Sequence, residues 1–128
     1  MATNNVIGWF EIPVLDMDRA ITFYEKVFDF EIDRQNFGGL DMAFFPFDHS
    51  KTGASGSLVK HPDFYHPSEK GVLIYFTGPS GDLSIELARV NDAGGIVVIE
   101  KRLISEDTGY MGVFLDTEGN RIAIHTRK

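Results

Sequence analysis

The sequence predicts an α+β fold in which two βαβββ modules lie side by side and curl into a half-open, barrel-like sheet around a concave cavity. Three observations predict it. Apolar segments read strand, helix, then three strands, and the same order returns after about 65 residues. Each helical segment is followed by turn-linked strands rather than by one buried strand. That pattern implies a sheet with its helix on one face, not a doubly wound parallel sheet. A polar stretch with two prolines, His61 to Lys70, separates the halves.

The elements follow in order. Residues 6–14 are apolar and β-rich, and Asp16 stands where a helix N-cap accepts a hydrogen bond from the first turn. Ala20, Phe23, Tyr24, Val27 and Phe28 then recur at the spacing of one apolar helix face. Residues 30–36 and 41–47 read as strands about the Gly38-Gly39 turn. The polar stretch from Asp48 to Gly56 is a loop, and 57–60 is a short strand. In the second half, 71–77 is strand-like. Leu83, Leu87 and Val90 mark a second helix, which Gly94-Gly95 ends as a left-handed cap. Residues 96–104, 110–115 and 121–126 complete three strands, with Gly119 supplying positive φ in the last turn.

The 128 residues fit one domain: module one at about 6–60, the linker at about 61–70 and module two at about 71–127. Hydrophobic residues make up 43%, and eleven Phe are enough to line a cavity as well as fill a core. The absence of cysteine excludes disulfides, thiolate metal sites and cysteine nucleophiles. A net charge of -7 argues against a nucleic-acid partner. No apolar run reaches the length of a membrane span and no secretion signal is visible, so a cytoplasmic protein without membrane contact is expected.

Phe10-Glu11-Ile12-Pro13-Val14, Asp18-Arg19-Ala20 with Phe23-Tyr24, Gly94-Gly95 and the Asp116-Thr117-Glu118-Gly119-Asn120 turn together resemble the vicinal oxygen chelate superfamily. That superfamily includes glyoxalase I, extradiol dioxygenases and the fosfomycin and bleomycin resistance proteins. The resemblance spans roughly residues 6 to 127 and is nearest to small bacterial glyoxalase-like proteins related to lactoylglutathione lyase. It implies paired modules around a concave site, commonly in homodimers. In the metal enzymes of the family, four strand positions supply His, Gln or Glu. Here those positions fall at Trp9, near Ser57, near Val72 and at Ala123. Trp, Val and Ala offer no donor atom and Ser is a poor one, so neither a metal nor another cofactor is expected.

Strand alternation puts Glu11 on the face of Trp9, and Arg121 and His125 on that of Ala123. Glu11 and His125 are therefore candidate catalytic groups for proton transfer, or anchors for a polar ligand. Trp9, Phe45, Tyr75, Lys101, Tyr110 and Arg121 are candidate ligand contacts: aromatic walls, a rim tyrosine and two cations. Phe44, Phe47 and Phe76 divide between cavity and core. His61 and His66 match no common metal spacing, and Gly53-Ala54-Ser55-Gly56 lacks the helix and lysine of a phosphate loop. The reading favours a metal-independent binder of an apolar or aromatic small molecule, working as a homodimer. The alternative is a lyase or isomerase of the same superfamily using Glu11 and His125, or a non-standard metal site.

Overall fold

A computed structural model describes residues 5–128. The elements are β1 (Phe10–Pro13), α1 (Met17–Phe28), β2 (Asp33–Phe37), β3 (Leu40–Phe44), β4 (Gly56–Lys60), β5 (Ile74–Thr77), α2 (Leu83–Val90), β6 (Ile96–Ser105), β7 (Gly109–Leu115) and β8 (Arg121–Thr126). They form two four-stranded sheets with the same internal order, β1-β4-β3-β2 and β5-β8-β7-β6. In each, the first strand runs parallel to the last and the other pairs are antiparallel. This is βαβββ twice. Among the described residues no ladder joins the two sheets, and they do not close into a barrel.

Local chemistry sets both helices. Asp16 lies extended before α1 and accepts from the Arg19 amide at 3.0 Å. Asp82 does the same for α2 through Ser84. The α1 face read from the sequence is the buried one: Ala20, Phe23, Tyr24, Val27 and Phe28 are almost wholly enclosed. The helix ends on Asp29, which takes a left-handed φ of 57°, a position that gives no glycine signal in the sequence. Strand ends are trimmed relative to the sequence pattern. The first strand begins at Phe10, leaving Val6 and Ile7 exposed. The third ends at Phe44, two residues before Pro46, which lacks the N–H a ladder needs.

One core cluster gathers the helix-side faces of both sheets. It takes Ile12, Ala43, Phe45 and Leu58 from the first and Phe76, Phe114, Ile122 and Ile124 from the second, with the inner faces of α1 and α2 between them. The rings of α1 reach across to the second sheet: Phe23 and Phe28 lie 5.7 and 6.3 Å from Phe114, and Phe28 stacks 4.7 Å from Phe76. The opposite faces lie outside this core. On the second sheet Met111, Val113 and Ala123 form a separate small cluster with Ile99. No helix among the described residues is long and apolar enough to cross a membrane.

Candidate functional site

Where the edge strands β1 and β5 approach, the sheets meet through side chains. One end of this seam is fastened by polar groups. Glu118, in the β7–β8 turn, accepts from the amides of Leu15 and Asp16 at 2.7 and 2.8 Å and from Arg19 Nε at 2.7 Å. Burial pushes the Glu118 carboxyl up, but Arg19, those amides and the Thr117 hydroxyl outweigh it and hold the group below its ordinary value. Asn120 donates to the Pro13 carbonyl at 2.8 Å. Beneath it, Asp116 accepts from the Tyr24 hydroxyl at 2.7 Å. Burial is the larger influence on Asp116 and raises it, despite the donors from Tyr24, Asn120 and Glu118.

The other end of the seam is open. A cavity of about 590 Å³ lies there, floored by Phe10, Phe30, Phe45 and Phe76 and flanked by Tyr75, Thr77 and the 46–55 loop. The floor is rigid. Phe45 lies 5.7 Å from Phe10, 5.8 Å from Phe30 and 5.3 Å from Phe76, with tilted or edge-to-face geometry. Ser55 closes the base of the loop by donating to the Pro46 carbonyl at 2.9 Å. The rim is polar. Asp48, held below its ordinary value by the Ser50 hydroxyl and amide, stands there with Lys51 and Thr52.

The candidate residues divide among several places. Phe45 and Tyr75 share the open cavity. Glu11 and Arg121 line a smaller one of about 170 Å³ near the fastened end, with no ion pair between them. Trp9 lies on the face of the first sheet away from the helices, its ring 5.9 Å from Phe44. The structure does not bring Glu11 and His125 together. Tyr65 donates to Glu11 at 2.6 Å, a bond that raises the tyrosine's pKa, whereas His125 Nε2 lies 2.6 Å from the Thr108 carbonyl. Lys101 and Tyr110 do not reach the seam either. Lys101 lies 4.5 Å over the Tyr110 ring and bonds Asp82, whose carboxyl it and Ser84 pull down to about 2. The reason is a break in alternation: the β6 register slips between Ile99 and Arg102, turning Lys101 toward α2.

Phe10 and Phe30 were not among the sequence candidates. Phe10 is one residue from both Trp9 and Glu11, so alternation assigns it to the opposite face, which here is the cavity floor. Tyr65 gave no signal, because its contact with Glu11 depends on the linker folding back over the first sheet.

The positions that the resemblance assigns to metal ligands, at Trp9, near Ser57, near Val72 and at Ala123, offer a poor donor set for a divalent ion. Ala123 is fully buried with no donor, Val72 is 90% exposed, Trp9 has only its indole N–H, and Ser57 offers one neutral hydroxyl. Among the described residues no three His, Asp or Glu side chains converge.

Paired βαβββ modules around an inter-module seam define a class of protein in which one scaffold carries many chemistries. The chain belongs to the Glyoxalase/Bleomycin resistance protein/Dioxygenase superfamily, whose sequence model matches residues 6–124. A glyoxylase/bleomycin resistance protein/dioxygenase domain from Frankia sp. EAN1pec superposes with a TM-score of 0.73 at 16% identity, over 98% of this chain and all of that one. A hypothetical protein from S. aureus gives 0.70 at 19% identity, over 98% and 95%. Glyoxalase I from Zea mays gives 0.64 at 14% identity, over 93% of this chain but 45% of its own. These likenesses establish the fold. Among curated proteins none matches the chain.

Proposed function

We propose that this protein binds a small apolar or aromatic molecule without a metal, in the open cavity of the seam. The observation that carries the reading is the floor of four packed phenylalanines, Phe10, Phe30, Phe45 and Phe76, beneath a polar rim. A concave site of this size, largely apolar with a few polar groups at its edge, is the usual form of a small-molecule site. Binding without catalysis is favoured because the acid and base candidates Glu11 and His125 have separate hydrogen-bond partners. The donor set at the four ligand positions supports metal independence.

We also infer a homodimer. Tyr75, Ile96 and Val98 on the second sheet and Val72 just before it leave apolar surface exposed, and among the described residues β2 and β6 have no further strand beside them. Two-fold pairing is the common way to cover such surface. Light scattering at micromolar concentration should give twice the monomer mass; a monomer there would remove this part of the reading.

The test of binding is calorimetric titration with 1-naphthol, first of the native chain and then of Thr77→Trp, which fills the mouth from an exposed strand position. Saturable binding by the native chain that Thr77→Trp abolishes is expected. Equal binding by both places the ligand elsewhere. Parallel titration with zinc, nickel, manganese and iron(II) should give no stoichiometric heat, and tight binding of any of them would overturn metal independence.

A further inference from the structure

The rim of the seam cavity is unequal in its hydrogen-bond chemistry. Its anion, Asp48, is already engaged: Oδ1 accepts from the Ser50 amide at 2.9 Å and from the Ser50 hydroxyl at 2.7 Å. These bonds, with the Lys51 amide donating to the Asp48 carbonyl at 3.1 Å, tie 48–51 into a turn. Its cation, Lys51, is exposed, and its ammonium makes no ion pair among the described residues.

The loop beyond the turn also carries spare donors. Among the described residues the amides of Thr52, Gly53 and Ala54 donate no hydrogen bond, although all three residues line the cavity. Gly53 takes a left-handed φ of 95°. Successive amides about a left-handed residue are a common form of anion receptor. The opposite wall adds the hydroxyls of Tyr75 and Thr77 and no charge. The loop therefore presents an ammonium and three amides without partners, above a floor of phenylalanine rings.

We propose that the ligand of this cavity is an aromatic monocarboxylate: its ring lies on Phe10, Phe45 and Phe76, and its carboxylate takes donors from Lys51 and the amides of 52–54. The inference rests on the seam cavity being the binding site and adds the charge of the ligand. A carboxylate has acceptors only, which complements a set of spare donors. Rings packed edge-to-face suit a flat partner, and about 590 Å³ admits a bicyclic acid. Asp48 on the same rim repels a second negative charge, so a monoanion is favoured over a phosphate monoester. The chain's net charge of -7 repels anions at long range, so the selection is local to this loop.

The experiment is calorimetric titration of the native chain with 1-naphthylacetate, 1-naphthylmethylammonium, 1-naphthyl phosphate and 1-naphthol, which share one ring system and differ in charge. Saturable binding is expected, with the acetate tighter than the ammonium and the phosphate. Lys51→Met should weaken the acetate about fivefold more than it weakens 1-naphthol, the upper range for an exposed charge pair, and Lys51→Arg should restore most of that difference. Thr77→Trp should abolish binding of the acetate with that of 1-naphthol. If 1-naphthol binds and the ammonium or the phosphate equals or exceeds the acetate, the carboxylate assignment is overturned while the apolar cavity stands. Equal losses of acetate and 1-naphthol in Lys51→Met overturn it in the same way. Binding of none of the four probes overturns the cavity as the site, and the assignment with it. The four-probe series on the native chain decides the matter even if a variant fails to fold.

Discussion

Replacing Glu118 by Gln removes one negative charge from the fastened end of the seam and leaves the shape intact. The amides of Leu15 and Asp16 both donate to Oε1, which Gln retains as a carbonyl. Arg19 Nε donates to Oε2, which becomes an NH₂ group facing another donor. The Glu118 side chain is fully buried, so the lost bond is charge-assisted on the acceptor side; Arg19 is half-exposed, and water takes up part of its loss. Breaking a fully buried pair costs about 3–5 kcal/mol and a charged hydrogen bond about 1.5–3 kcal/mol. With Arg19 half in water, about 2–3 kcal/mol is expected at pH 7, or a fall in Tm of roughly 6–12 °C. Urea unfolding followed by tryptophan fluorescence and circular dichroism measures it. The sign with pH is fixed by the depressed carboxyl. Its folded value lies below the unfolded value of about 4.3, so its stabilisation is complete above that value. It disappears as pH falls through the folded value. The gap between native chain and Glu118→Gln must therefore narrow in acid. A gap under about 0.5 kcal/mol at pH 7, or one that persists at pH 2, refutes the account of the clamp.

Tyr24→Phe removes the 2.7 Å donor to Asp116 and should cost about 1–1.5 kcal/mol in urea unfolding. It should also move Asp116, already raised by burial, further up in a carboxyl NMR titration, and an unchanged titration would sink this reading. Because Asp116 is raised, its stabilisation is present below its unfolded value and is lost as pH rises through the folded one, the reverse of Glu118. Gly95→Ala puts a Cβ 2.6 Å from the Leu115 carbonyl and from the Phe23 ring, and about 2 kcal/mol of destabilisation is expected by thermal melting; a neutral result would mean the β7 backbone yields freely. Ala123→Glu buries a carboxylate against Met111, Val113 and Ile99 and should cost about 3 kcal/mol or more, with no recovery of Tm on adding zinc. Zinc-dependent recovery would contradict the argument from the donor set.

The two helices were legible because their information is local. A cap residue and a 3.6-residue apolar stripe identify α1 without reference to anything distant, and the same residues are buried in the fold. Strand order was legible through turn residues such as Gly119, whose φ is 89°. Legibility ended where side-chain direction depends on register. Counting alternate residues directs Lys101 toward a ligand, but a bulge in β6 adds a residue and reverses the count. Glu11 and His125 were placed on suitable faces by alternation. Their actual partners, Tyr65 and the Thr108 carbonyl, come from a linker and a turn whose paths no periodicity encodes. Of the rings that line the cavity, Phe45 and Tyr75 were candidates in the sequence, whereas Phe10 was hidden by its placement between two more conspicuous neighbours.

The position of the cavity follows from how the seam is held. Among the described residues no backbone ladder links the sheets, so their approach there depends on side chains. Among the described residues the polar bonds between the sheets act at one end, where Pro13, Leu15 and Asp16 leave β1 and meet Asn120 and Glu118, while the helices are joined separately by Arg89 to the Val27 carbonyl and Lys26 to the Asp92 carbonyl. Phe10 is at the far end of β1 and faces Phe76 at 5.7 Å, with no hydrogen bond across the gap. Rings bring the sheets together there without closing the space above them, because planar groups packed edge-to-face leave a mouth that the 46–55 loop borders but does not fill. A ligand entering this mouth adds apolar contact at the end of the seam that has no polar fastening. On the proposed function, ligand binding and module association are coupled: occupancy should stabilise the two halves against separation, and loosening the Glu118 clamp should weaken binding at a cavity it does not touch.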